Sequence, residues 1–300
     1  MAKPIIIDCD PGIDDAIAMF LAIASEELDV KLVTTCAGNL SLDTVTRNAL
    51  QLLSFVGHDI EVAPGAKEPL LKELVVAEEV HGETGLGGIQ LGDANYSVSK
   101  RSAWEAMRDV LIHSEQKVTI VAIGPLTNVA LLLKAYPDIR DRIEQVTIMG
   151  GACDGGNTTP VAEFNIYVDP HAAKIVFDSG LPIQMFGLDV TMKVTILKHE
   201  IEAIRNIGNR TGELVAKMLD FYSRDDRVMG MHDPCTIAYL LDPSLFTLTP
   251  CHVQVETNSE LTAGQTVVDR MSQLKNAEVA FDVERDRMVD LLYDSLKKLN

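Results

Sequence analysis

Residues Ile5-Ile6-Ile7-Asp8-Cys9-Asp10-Pro11-Gly12-Ile13-Asp14-Asp15-Ala16 put four carboxylates within eight positions, directly behind a short β-branched run. The run is too short and too branched for a helix and reads as a buried parallel strand, which Pro11-Gly12 terminates as a turn. Beyond it, Ile17, Ala18, Leu21 and Ala22 recur at helical spacing, so a helix opens at Asp14 or Asp15. An aspartate at a helix start is ordinarily an N-cap, which accounts for one carboxylate and not for four. Like charges at this spacing raise one another's pKa unless a cation neutralises them, and an all-carboxylate donor set suits Ca²⁺ or Mg²⁺. A strand that ends on a hard-metal site is therefore the first expectation.

Strand-like and helix-like stretches alternate to the end of the chain without a low-complexity linker. With 300 residues and 47% hydrophobic content, they imply one domain with a large core. The expected class is α/β: a single-domain, open, mostly parallel Rossmann-like sheet flanked by helices. A net charge of −18 with no basic run argues against nucleic acid or an anionic membrane as partner. The first residues lack a signal-peptide pattern, no apolar stretch reaches bilayer length, and the five scattered cysteines form no Cys-x-x-Cys pair. These features predict a cytoplasmic protein with reduced thiols.

In an open parallel sheet the carboxyl ends of the strands share one edge, where ligands bind. Val30–Thr35 reads as a strand that runs into Cys36-Ala37-Gly38-Asn39, so Asn39 can share a site with Asp10, although an Asn after Gly is also an ordinary turn residue. The Gly-rich segment from Val80 to Gly88 carries His81 and has neither P-loop nor dinucleotide spacing, which favours a mobile flap. Strand Val118–Ile123 leads to Gly124-Pro125-Leu126-Thr127-Asn128, and strand Gln145–Met149 to Gly150-Gly151. The aperiodic stretch from Gly156 to Asn165 offers Asn157, Glu163 and Asn165, the paired donors and acceptors that a sugar diol needs, with loop capping as an equal competitor. Asp233-Pro234 opens an apolar helix, and His232 beside it is both a possible metal ligand and a titratable proton donor.

Taken together these segments resemble, in order and over essentially the whole chain, the inosine-uridine preferring nucleoside hydrolases. The likeness is carried by residues Asp8 to Ala16, Asn39, the loop at His81, Gly124 to Asn128, Met149-Gly150-Gly151, Ala162-Glu163-Phe164-Asn165 and His232-Asp233-Pro234. Within the family it points to bacterial ribonucleoside hydrolases that prefer pyrimidines. The resemblance implies Ca²⁺ held by Asp10, Asp15 and Asp233 with the Ile123 carbonyl. A Ca²⁺-held water, with Asp10 as general base and Asn39 assisting, would attack the anomeric carbon through an oxocarbenium-like state. Asp14 would hold the 2′-hydroxyl, and Asn157, Glu163, Phe164 and Asn165 would form the rest of the ribose site with Met149 packed on the sugar. His81 and His232 would face the nucleobase, His232 as possible acid. A small-molecule ribonucleoside is the implied partner and a homo-oligomer, tetramer before dimer, the implied assembly.

Three other readings stay open on the sequence. A haloacid-dehalogenase-like phosphohydrolase also begins with a strand and Asp-x-Asp, but it would carry Thr or Val where Gly12 stands. A non-catalytic nucleoside-binding protein would not need four carboxylates. A purine-preferring or nonspecific hydrolase is not excluded, because the charged segment between Tyr222 and His232 is shorter than expected of pyrimidine-preferring relatives. Tyr222 or Arg227 would then take over the base contacts.

Overall fold

The computed structural model describes residues 2–224 and 230–300. Its centre is the parallel strand β1 (Lys3–Cys9), buried on both faces as the Ile5-Ile6-Ile7 run predicts. Side chains of a strand alternate between faces. Ile5, Ile7 and Cys9 therefore enter one core with helix Ile13–Ile23, and Ile6 enters a second core on the opposite face. Burying one such isoleucine stabilises the fold by roughly 1.5–3 kcal/mol.

Around β1 the sheet is completed by β2 (Leu28–Thr35), β3 (Val62–Pro64), β4 (Val118–Ala122), β5 (Ile143–Met149), β6 (Ile183–Phe186), β7 (Phe246–Val255), β8 (Thr266–Asp269) and β9 (Ala277–Val283). The order across it is β3-β2-β1-β4-β5-β6-β9-β7-β8, paired parallel as far as β9, with the β9–β7 and β7–β8 pairings antiparallel at the edge. The expected open, mostly parallel sheet flanked by helices is what forms. The chain winds outward from β1 to β3, then returns to start β4 on the other side of β1, so the strand order reverses between β1 and β4. In an open α/β sheet the ligand crevice lies beyond the carboxyl ends of the strands at such a reversal. Asp10 and Ile123 are the residues next after those two strand ends.

Helix Ala103–His113, which covers the second core through Ala106, Met107 and Leu111, has no counterpart in the sequence reading. Two stretches read as irregular are short helices, Glu78–His81 and Phe164–Val168. Both are shorter than two turns, so periodicity could not reveal them.

Candidate active site

Each acidic residue of the opening motif takes a different place. The helix begins at Ile13 with Gly12 as N-cap, so neither Asp14 nor Asp15 caps by position. Asp15 instead turns back on the loop and accepts the backbone N–H of Gly12 at 3.0 Å and of Asp10 at 3.1 Å. Asp10 lies in a cradle of two glycines. A Cβ on Gly38 would come within 2.1 Å of its Oδ2, and one on Gly124 within 2.6 Å of its Oδ1, so neither position has room for a side chain. Its Oδ2 accepts the Asn39 backbone N–H at 2.6 Å, while Oδ1 is buried without a hydrogen-bond partner. A buried, unpartnered carboxylate oxygen is expensive unless a cation or water completes it.

Asp233 arrives from the far end of the chain. Although it precedes helix Pro234–Leu241, it makes no side-chain cap, so capping does not explain it. Its carboxyl comes close to that of Asp15, and two buried carboxyls so placed require a shared proton or a cation. Oxygens of Asp14, Asp15 and Asp233 lie within 4.8 Å of one another, and all three residues are buried. Burial first, and mutual repulsion second, push Asp10 and Asp233 well above the ordinary carboxylate range and Asp14 up to about 8. Such a cluster, hard in its donors and short of positive charge, has the composition of a metal site. Asn39 serves it as an orienter: its side-chain amide donates to the Asp10 carbonyl at 3.2 Å and to Asp15 Oδ2 at 3.1 Å.

Over this floor opens a cleft of about 350 Å³. Asp14, Asn39, Ile123, Met149 and Asp233 line it. Asn157, Glu163, Phe164 and Asn165 line it as well, together with His81, Tyr222 and His232, so the ends of β4 and β5 and the later segments meet in one place. Asp10 and Asp15 lie beneath, fully buried. Arg227 lies outside the described residues.

The amide of Asn165 donates to the Ile123 carbonyl at 2.9 Å and to the Met149 carbonyl at 3.1 Å, tying the ends of β4 and β5 together. Glu163 is an N-cap after all, accepting Asn165 and Ile166 N–H groups, and it also takes the Gly151 N–H at 2.8 Å. Capping and cleft lining coexist in one side chain, whose carboxyl burial pushes up to about 7 against those hydrogen bonds. His81 is buried rather than solvated, and its Nδ1 accepts the Ile13 N–H at 3.2 Å. The neutral ring must therefore carry its proton on Nε2. Burial, then His232 and Arg224, push its pKa down to about 3; burial alone pushes His232 down to about 4. His232 Nδ1 pairs with the Thr191 hydroxyl at 2.8 Å.

Several cleft residues have no precedent in the sequence reading. Val75, Val76, Ala77, Glu79, Val80 and Thr158 also line it. The only available signal was an apolar pair, Val75-Val76, in a segment with no helical or strand period. Thr191 gave none, being 41 residues from His232. A brace below the site was also missed: Asp8 Oδ1 accepts from Thr34 at 2.6 Å and Asn128 at 2.8 Å, joining β1, β2 and the helix after β4.

The family model for inosine-uridine preferring nucleoside hydrolases matches residues 5–290. The chain belongs to this family. Among curated nucleoside hydrolases, the pyrimidine-specific ribonucleoside hydrolase RihA of Photobacterium profundum is 49% identical over 307 residues, covering 99% of each chain. Among solved ones, a plant nucleoside hydrolase, PpNRh1, superposes with a TM-score of 0.94 at 34% identity over 99% of each chain. A purine-preferring ribonucleoside hydrolase from Gardnerella vaginalis gives 0.92 at 32% identity over 98% of each. Family membership removes the phosphohydrolase alternative.

Proposed function

We propose that this chain is a ribonucleoside hydrolase that cleaves the N-glycosidic bond of pyrimidine ribonucleosides, releasing free base and ribose, with Ca²⁺ as cofactor. The observation that carries this is the convergence, on one cleft, of a buried acidic cluster with the polar side chains of Asn157, Glu163 and Asn165. The hydrolase activity follows from the family, and the pyrimidine preference from the RihA relatives.

Asp10, Asp15 and Asp233, with the Ile123 carbonyl, are the proposed ligands of the ion, and the unpartnered Asp10 Oδ1 fits that assignment. Bound there, a hard divalent cation would lower the pKa of a water and grip the 2′ and 3′ hydroxyls. Asp10 is also the base: Asn39 fixes Oδ2, and Oδ1, with a lone pair to spare beyond the one toward the ion, takes the proton of the attacking water. Asp14 holds the 2′-hydroxyl. Asn157, Glu163 and Asn165 take the 3′ and 5′ hydroxyls, with Met149 and Phe164 packing on the sugar. Positive charge developing on the ribosyl ring is favoured by the acidic floor beneath it.

At the base, His81 donates from Nε2 to a ring carbonyl, a role that its bond from Ile13 supports. His232 delivers a proton to the departing ring when the Thr191 hydroxyl donates to Nδ1 and leaves the ring proton on Nε2. Five free thiols support a reducing, cytoplasmic setting, and the family likeness a tetramer. Light scattering at micromolar concentration tests the assembly, a monomer mass refuting it. For the activity, hydrolysis of uridine, cytidine, inosine and adenosine is measured with and without chelator. Pyrimidine turnover that chelation abolishes is expected; purine efficiencies above the pyrimidine ones would overturn the preference, and chelator-resistant turnover the metal.

A further inference from the structure

Helix Arg210–Tyr222 ends beside the segment that carries His81, and its last two residues, with Arg224 just beyond its C-cap, grip that segment. Phe221 packs on Gly87, where a Cβ would lie 2.9 Å from its ring. Tyr222 stacks on His81 with centroids 5.8 Å apart. Arg224 donates to the Glu79 carbonyl at 2.7 Å and the Val80 carbonyl at 3.3 Å on one side, and to the Phe221 carbonyl at 2.8 Å on the other. Its guanidinium also lies 3.8 Å over the Phe221 ring.

Glu79 and Val80 belong to the one-turn helix Glu78–His81, too short to satisfy its own carbonyls. Phe221 lies in the last turn of the longer helix. One planar guanidinium thus serves both helix C-termini at once, where positive charge is favourable at each. A lysine ammonium is a point donor and cannot span the two with the same geometry. Arg224 itself does not line the cleft, whereas the residues it joins, Glu79, Val80, His81 and Tyr222, do.

We propose that Arg224 is a positioning residue for the nucleobase: by joining the two helix ends it holds His81 and Tyr222 at one separation and so sets the width of the cleft at the leaving base. This rests on the reading that the base lies among His81, Tyr222 and His232. Loosening the junction should weaken uridine binding and relax the preference for pyrimidines while leaving ribose binding alone.

The test compares the parent with Arg224→Ala and Arg224→Lys. In Arg224→Ala the KM for uridine should rise about tenfold while kcat stays within about threefold. The inhibition constant of free ribose should not move, the uridine-to-inosine efficiency ratio should fall, and millimolar methylguanidinium should restore the KM. Arg224→Lys should lie between. A uridine KM within about twofold of the parent, or equal losses for uridine and ribose, overturns the proposal. If Arg224→Ala does not fold, Arg224→Gln is judged on the same measurements. A parent inert toward all nucleosides sinks the functional reading instead. The junction is then tested by amide exchange across residues 78–88, where faster exchange in Arg224→Ala supports it and unchanged exchange overturns it.

Discussion

Asn39 gives its backbone N–H to Asp10 Oδ2 at 2.6 Å, which leaves Asp10 Oδ1 as the oxygen without a partner. The two oxygens of one carboxylate thus have different work, one anchored and one free. Asp10→Asn keeps the shape and the anchor's position but removes both the negative charge and the base. Turnover of uridine should fall by more than about a hundredfold, roughly 2.7 kcal/mol of barrier, in folded protein. Retention within about tenfold would remove Asp10 from the base role.

Chelation should cost stability as well as activity, because the clustered carboxyls of Asp14, Asp15 and Asp233 and the unpartnered Asp10 oxygen would lose what neutralises them. At a free ion concentration a hundred times Kd, binding contributes about 2.7 kcal/mol to the folded state. A melting midpoint that falls with chelator and returns with added Ca²⁺ is expected; an unchanged midpoint would mean that no ion is held there.

The pH dependence of stability should carry the signature of His81. Its folded pKa is pushed down to about 3 from 6.5, so between those values the unfolded chain binds the proton and the folded chain does not. The stability that the neutral ring confers is complete above pH 6.5 and is lost as the pH falls toward 3. His81→Gln lacks this loss, so between pH 7.5 and pH 5 its stability relative to the parent should rise by about 2 kcal/mol. Parallel denaturation curves at the two pH values would contradict it.

Glu163 and Asn165 are occupied with backbone groups and offer an added phosphate no positive partner. Glu163→Gln removes charge while keeping shape. Uridine 5′-monophosphate should be a poor substrate for the parent and improve relative to uridine in this variant. Equal efficiencies on nucleoside and nucleotide in the parent would refute the 5′-hydroxyl assignment.

His232→Ala should reduce turnover of uridine far more than that of a nitrophenyl riboside, whose leaving group needs no proton. Loss by the same factor on both substrates would take the acid role away from His232.

How much of this was legible in the chain depends on distance along it. The run from Ile5 to Asp15 declared a buried strand ending on carboxylates, because β-branched apolar residues, a Pro-Gly turn and acidic crowding are local facts. Motif order declared the family. The resemblance grouped Asp233 with Asp10 and Asp15, but local pattern by itself could not decide which of these carboxylates meet. Capping was a sufficient local account of Asp233, and the folded chain brings it close to Asp15, from 218 positions away (233 − 15). Likewise Glu163 looked like either a cap or a ligand and is placed for both, while Thr191 and Arg224 carried no local signal at all. Their partners are a ring and carbonyl groups supplied by other elements. Local pattern fixes which strands and helices form; the reversal of strand order between β1 and β4 decides which of their ends share a cleft.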